Sequence, residues 1–210
     1  MKTKYEINIT FRYKGKRNYV HGPDIYNGVL GAIRDLFGVY PSRINSSFHR
    51  LLRNNGICII QKNTDQINRE RAYAVFSMKI KEEMFHASVY DSGTRISSSY
   101  SYNEEKVLEG ARIEDDAIRM VAKKRYSYME ELVAMTKKLH LSLYPSAIGK
   151  WLVTKIVIEH FVDPNSYWGH VLAVKSERNF HNRLTQCSIR LDRERLGVIY
   201  FSLFPGDEGR

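Results

Sequence analysis

The chain has 210 residues, with 33 Lys+Arg against 23 Asp+Glu and a formal net charge of +10. That length suits one large domain or two small ones, and 43% apolar with 27% charged residues excludes a disordered tail. No apolar run reaches the roughly 18–20 residues that a membrane-spanning helix needs.

The opening Met1-Lys2-Thr3-Lys4-Tyr5-Glu6 has no signal-peptide core. Cys58 and Cys187 are too few for a disulfide scaffold. The expectation is a cytoplasmic protein with two buried thiols and no membrane association. The basic excess is uneven: residues 1–60 carry 10 positive and 3 negative groups, residues 61–120 carry 9 and 11, and residues 121–210 carry 14 and 9. A basic surface favours an anionic partner, whether nucleic acid, a phosphorylated carrier or an acidic protein.

Along the chain, Tyr5, Ile7, Ile9, Phe11 and Tyr13 alternate with polar residues, the period of a strand with one buried face. Lys14-Gly15-Lys16 reads as a turn. Asp24 is then a candidate N-cap, followed by an apolar helical stripe of Ile25, Val29, Ala32, Ile33 and Leu36, with Gly38 as a stop. Gly28 and Gly31 sit inside that helix, each costing about 1 kcal/mol against Ala, so something must approach the backbone closely there.

Residues 56–62 read as a buried strand and 63–71 as a polar connection. The alternations through Phe76-Met78-Ile80 and Phe85-Ala87-Val89 read as a strand pair, Asp91-Ser92-Gly93 as a turn, and 97–102 as an edge strand or loop. Residues 113–139 read as a long helix. Ser146 caps a second helix over 147–161, apolar nearly all round and therefore buried, ended by Asp163-Pro164-Asn165. Strands over 168–175, 184–191 and 197–204 and a loose tail from Pro205 complete the chain.

The pattern is α+β, an antiparallel sheet wrapped around buried helices, with a first half over 1–112 and a second over 113–210, packed as one globular unit. Placing Gly28 on Gly149 aligns the two expected buried helices at an offset of 121 residues. A duplicated unit is one reading of that alignment.

The segment His21-Gly22-Pro23 followed by Asn27-Gly28-Val29-Leu30 resembles the hot-dog fold. In hot-dog dehydratases a His-Phe-Pro segment precedes Pro-Gly-Val-Leu at the start of the central helix. Tandem hot-dog proteins of the butyrolactone-autoinducer synthase type carry Asp-His-x-Pro-Gly-Met-Leu, against Asp24-Ile25-Tyr26-Asn27-Gly28-Val29-Leu30 here. This sequence departs from both: His21 lies seven residues before Gly28, two fewer than in the dehydratases, and the helical Glu expected five residues after that Gly is Ile33. Against the tandem family, Ile25 and Asn27 replace the His and the Pro. The dehydratase acid–base pair is therefore not intact.

The resemblance implies a double hot-dog as one arrangement, and an acyl thioester on coenzyme A or an acyl carrier protein as substrate or partner, with no resident cofactor. Dehydratase, thioesterase and acyltransferase chemistry all lie within its range. His21 and Asp24 are the available proton-transfer groups. Tyr26, Asn27 and Gly28 form the expected ligand-binding segment, with helix-start amides there polarising a thioester carbonyl. The plainer reading makes Asp24 a cap, His21 a turn residue and the glycines packing devices.

Two other classes stay open. Lys2, Lys4, Arg12, Lys14, Lys16 and Arg17 among Tyr5, Phe11, Tyr13 and Tyr19 suit single-stranded nucleic acid, although alternation turns those aromatics toward a core. A non-catalytic assembly protein is the third. The seven histidines form no H-x₃-H pair and neither Cys has a partner at ligand spacing, so no metal site is expected. Lys123-Lys124-Arg125 reads as a solvated helix face, and Glu159-His160 as a weaker acid–base candidate at a helix end. Monomer and homodimer are both compatible with the pattern.

Overall fold

A computed structural model describes residues 4–62, 70–164 and 166–205. They form two compact units that divide between Asn103 and Glu104. The boundary read from the sequence, 112/113, falls inside a short strand. The expected polar connection over 63–71 falls largely outside the described residues, as do Asn165 and nearly all of the tail.

In the first unit, β1 (Lys4–Ile9), β3 (Arg43–Phe48), β4 (Asn54–Gln61), β5 (Ala74–Ile80) and β6 (Glu83–Arg95) make an antiparallel sheet in the order β1-β4-β6-β5-β3. Two residues of β2 (Tyr13–Lys14) pair in parallel with β7 (Ser99–Tyr100). The helix α1 (Gly22–Phe37) lies on the sheet's apolar face. Ile25, Tyr26, Val29 and Ile33 are all at most 2% exposed, and Tyr26 and Phe37 meet Phe76 and Phe85 at ring separations of 6.1 and 4.8 Å.

The helical stripe ends differently from the reading above. Leu36 is exposed and Phe37 turns inward against Phe85; the helix then ends at Gly38 in the left-handed conformation (φ 71°). The strand β3 carries only Ile44 and Phe48 as large apolar residues in its six, too weak a pattern to announce itself.

The second unit starts with the short α2 (Glu104–Val107) and a hairpin of β8 (Arg112–Glu114) and β9 (Ala117–Val121). Then come α3 (Tyr128–Leu143), β10 (Lys150–Ile158), β11 (Val171–Phe180), β12 (Leu184–Leu191) and β13 (Glu194–Phe204). The sheet order within this unit is β10-β13-β12-β11-β9-β8, antiparallel throughout. Tyr128, Met129, Leu132, Met135 and Leu139 put the buried face of α3 into the core.

Two elements correct the sequence reading. The long helix expected over 113–139 is the β8–β9 hairpin followed by α3, which begins only at Tyr128. Ile118 and Met120 are buried while Arg119 and Val121 face out, which is strand alternation. The true start signal is a capping box: the Ser127 hydroxyl accepts from the Glu130 amide at 3.2 Å, and the Glu130 carboxylate accepts from the Ser127 amide at 3.0 Å.

The buried helix expected over 147–161 is the strand β10. A continuous apolar run cannot be told from a buried helix by periodicity, and the β-branched residues Val153, Thr154, Ile156, Val157 and Ile158 decide for the strand. The 121-residue offset falls with it. The helices that correspond are α1 and α3, each of 16 residues.

In each unit two strands precede the long helix and four strands of the large sheet follow it, but not in identical sheet order. In the second unit β11, β12 and β13 follow one another as hairpins, whereas in the first β6 lies between β4 and β5. Among the described residues no helix is long and apolar enough to cross a membrane.

Candidate functional site

The helix α1 starts three residues earlier than the Asp24 cap implied. His21 is the N-cap, extended at φ −68° and ψ 140°, and makes no side-chain capping hydrogen bond. Its carbonyl accepts from the amides of Asp24 (2.8 Å) and Ile25 (3.2 Å). Pro23, with its ring buried, sits in the first turn, where a missing N–H costs nothing. Asp24 is therefore a first-turn residue rather than the cap, still placed where a negative charge complements the helix dipole.

The carboxylate of Asp24 is held by a residue that the sequence reading assigned to a turn. Lys14 is fully buried, and its ammonium lies 2.8 Å from Asp24 Oδ1. The same Nζ stands 5.1 Å from the centre of the Tyr102 ring, and the Arg17 guanidinium approaches that ring at 5.2 Å. His21 completes the group, its ring centre 6.3 Å from that of Tyr102. Lysine is almost never fully buried without a partner, so the pairing with Asp24 is what makes this burial possible.

The expected ligand segment falls elsewhere. Tyr26 is completely buried against Phe76. Gly28 lets α1 approach β1, since a Cβ there would stand 2.9 Å from Ile9 Cγ2. Asn27 is half-buried on the same helix. With the helix beginning at Gly22, the amides of Asn27 and Gly28 lie past its first turn and serve its own ladder. The donors expected for a carbonyl there belong to the helix.

The N-terminal aromatics are packing residues too. Phe11 is buried against Gly28 and Gly56, and the Tyr13 hydroxyl donates to the Arg53 carbonyl at 2.6 Å. Glu159 and His160, exposed, end a strand rather than a helix.

The second unit holds two buried titratable groups that periodicity did not single out. Glu131, on the first turn of α3, is fully buried. Its Oε1 accepts from the Lys123 amide at 2.9 Å, and Oε2 has no hydrogen-bond partner among the described residues. Burial pushes this carboxyl up to about 7, so it exchanges a proton near neutral pH. The Tyr167 hydroxyl nearby donates to the Tyr126 carbonyl, and burial raises its pKa as well.

His140, on the last turn of α3, is enclosed by Trp151, Phe201 and Tyr144 at ring separations of 4.6, 5.2 and 5.9 Å. Its Nε2 lies 2.9 Å from Thr185 Oγ1 and 3.6 Å from Cys187 Sγ. Burial lowers the imidazole to about 4, so it is neutral at physiological pH. Nine residues apart, the two lie on opposite sides of a helix that is buried nearly all round, and nothing in a single sequence marks a polar residue as buried.

No protein-family model and no curated protein sequence matches the chain. Solved structures do. A tesB protein of Mycobacterium avium subspecies paratuberculosis superposes with a TM-score of 0.53 at 12% identity, covering 97% of this chain and 93% of that one. The dehydratase domain of PpsC from Mycobacterium tuberculosis, solved in complex with C12:1-CoA, gives 0.53 at 9% identity, covering 96% and 93%. At such identities the likeness concerns the course of the chain.

Proposed function

Taking the chain as a hot-dog protein with two such units in tandem, we propose that it binds and processes an acyl thioester carried by coenzyme A or an acyl carrier protein. The observation that carries this reading is the match over nearly the full chain to a tesB protein and to a dehydratase domain holding C12:1-CoA. The net charge of +10 favours the phosphates of coenzyme A or an acidic carrier.

Both reaction types in this class need one group that removes a proton and one that returns it. In hydrolysis, a base takes a proton from water as its oxygen attacks the thioester carbonyl carbon. The C–S bond then breaks and the departing sulfur receives the proton. In water loss, the proton leaves the carbon next to the carbonyl, and the hydroxyl on the following carbon departs as water once protonated. His21 and Asp24 fill these roles at the start of α1. Asp24 is held by Lys14, and His21, the N-cap, stands beside it at the helix start.

The test is turnover of octanoyl-CoA and palmitoyl-CoA, with the released thiol followed by a thiol reagent, beside water loss from a 3-hydroxyacyl-CoA followed by absorbance. Calorimetry on the same esters reports binding. The expected result is saturable binding and turnover that His21→Ala abolishes with an unchanged melting temperature. Absence of both binding and turnover with coenzyme A and carrier-protein esters overturns the reading. Salt-steep binding of single-stranded DNA in their place would favour the nucleic-acid class.

A further inference from the structure

We propose that Lys14 is the positioning residue of the site at the start of α1, fixing the Asp24 carboxylate for proton transfer, and that the two-residue β2–β7 pair serves to deliver it. This rests on the thioester reading given above.

The case begins with cost. A buried ion pair is commonly no more stabilising than well-packed apolar side chains of the same size, so Lys14 is not accounted for by stability. What the pair supplies is geometry. A carboxylate is planar and rigid, and an ammonium 2.8 Å from Oδ1 fixes the direction in which the rest of the group points.

Lys14 is itself constrained from several sides. Register sets Tyr13 beside Ser99 and Lys14 beside Tyr100. The flanking amides of Tyr13 and Gly15 donate to the carbonyls of Ser98 (3.0 Å) and Tyr100 (2.8 Å). Gly15, at φ 58°, supplies the left-handed turn that ends the pair. The Tyr102 face bounds the ammonium at 5.1 Å. Arg17 Nη1 donates to the Lys14 carbonyl at 3.4 Å. So short a parallel pair adds little stability of its own, yet it places one lysine against one carboxylate. Lys14 acts through Asp24 and touches no reacting atom in this scheme.

The test compares Lys14→Met, Lys14→Arg, Asp24→Asn and the double variant Lys14→Met/Asp24→Asn on octanoyl-CoA, each checked by thermal unfolding. The expected result is that Lys14→Met lowers kcat at least about tenfold with KM within about twofold, because positioning is felt in the transition state and not in ground-state binding. Lys14→Arg falls between it and the wild type. The double variant is no slower than Asp24→Asn alone, because residues acting as a unit are not additive.

A folded Lys14→Met with wild-type kcat, or losses that multiply in the double variant, overturns the proposal and leaves the thioester reading standing. If Lys14→Met does not fold, Lys14→Arg decides: a wild-type kcat there overturns the proposal. A wild-type protein inactive on every acyl thioester overturns the reading and this proposal together.

Discussion

Gly28 of α1 rests directly on Ile9 of β1: a Cβ built on the glycine would stand 2.9 Å from Ile9 Cγ2 and 3.2 Å from Phe11 Cε1. Gly31, three residues on, has nothing within 4 Å of the same construction. Both glycines carry the same helix penalty, about 1 kcal/mol against Ala, and only the first has a compensating contact. Gly28→Ala is expected to destabilise by about 1–2 kcal/mol, since overpacking outweighs the gain in propensity. Gly31→Ala should stabilise by about 0.5–1 kcal/mol. Urea unfolding of the two variants should show midpoints moving in opposite directions.

Two glycines on the β10–β13 pairing allow no side chain at all. A Cβ on Gly197 would stand 1.9 Å from the Val157 carbonyl oxygen, and one on Gly149 would stand 2.2 Å from that of Phe204. Their φ values of 157° and 139° are strained for any other residue. Backbone cannot move aside as a side-chain tip can. Gly197→Ala is expected to cost more than about 3 kcal/mol, combining strain with displacement of a central strand. Calorimetry would show a fall in melting temperature several times larger than any effect of Gly31→Ala.

These contacts mark what the sequence could and could not disclose. The alternation in β5 and β6 and the stripe in α1 were legible because each buries one face against a core, and burial writes its own period. β10 was not, because its apolar run lacks a polar face to set the period. The start of α3 was written plainly in Ser127 and Glu130, but the apolar residues Ile118 and Val121 fit a helical stripe by chance and drew the helix too far back. At the candidate site the sequence offered His21 and Asp24 as neighbours, and both stand at the head of α1. Lys14 was hidden because a lysine beside glycine in a basic stretch looks solvated. Its burial depends on Ser99 and Tyr100, 85 or more residues away, and pairing at that range leaves no local trace.

The capping box gives a direct measure of how α3 is anchored. Ser127→Ala removes the acceptor for the Glu130 amide and leaves that donor at the helix end unsatisfied. The expected loss is about 1 kcal/mol. Ser127→Asp, which keeps an acceptor and adds a charge that suits the helix dipole, should recover most of it. Equal stability of Ser127→Ala and wild type in guanidinium titration would contradict the role assigned to this box.

Glu131 and His140, both on α3, make stability depend on pH in opposite senses. His140 is lowered from 6.5 to about 4. Below pH 6.5 the unfolded chain therefore binds a proton that the folded chain refuses, and stability is lost as pH falls toward about 4. Glu131 is raised from 4.5 to about 7. Between those values the folded chain keeps a proton that the unfolded chain gives up, so stability is lost as pH rises through that window. Each effect amounts to about 3 kcal/mol at full extent, and between roughly pH 4.5 and 6.5 they largely cancel in the wild type. Replacement separates them. His140→Gln should expose a stability that declines as pH rises, and Glu131→Gln one that increases. Denaturant midpoints across pH 4.5–7 that slope identically in both variants would refute the assignment.

The two thiols provide the last test, one in each unit. Cys58 is completely buried in β4 and Cys187 in β12, where its Sγ lies 3.6 Å from His140 Nε2. Burial pushes both thiols up to about 12. At pH 8 almost none of either is thiolate, the reactive form, and no reagent reaches the sulfur without local opening. Native protein should therefore react with a disulfide reagent only at the rate of opening, while unfolding in guanidinium releases two fast equivalents. If one thiol reacts fast in the native state, Cys58→Ser and Cys187→Ser tell which. A fast Cys187 would also place the imidazole of His140 within reach of solvent, which its neutral, aromatic-walled position forbids.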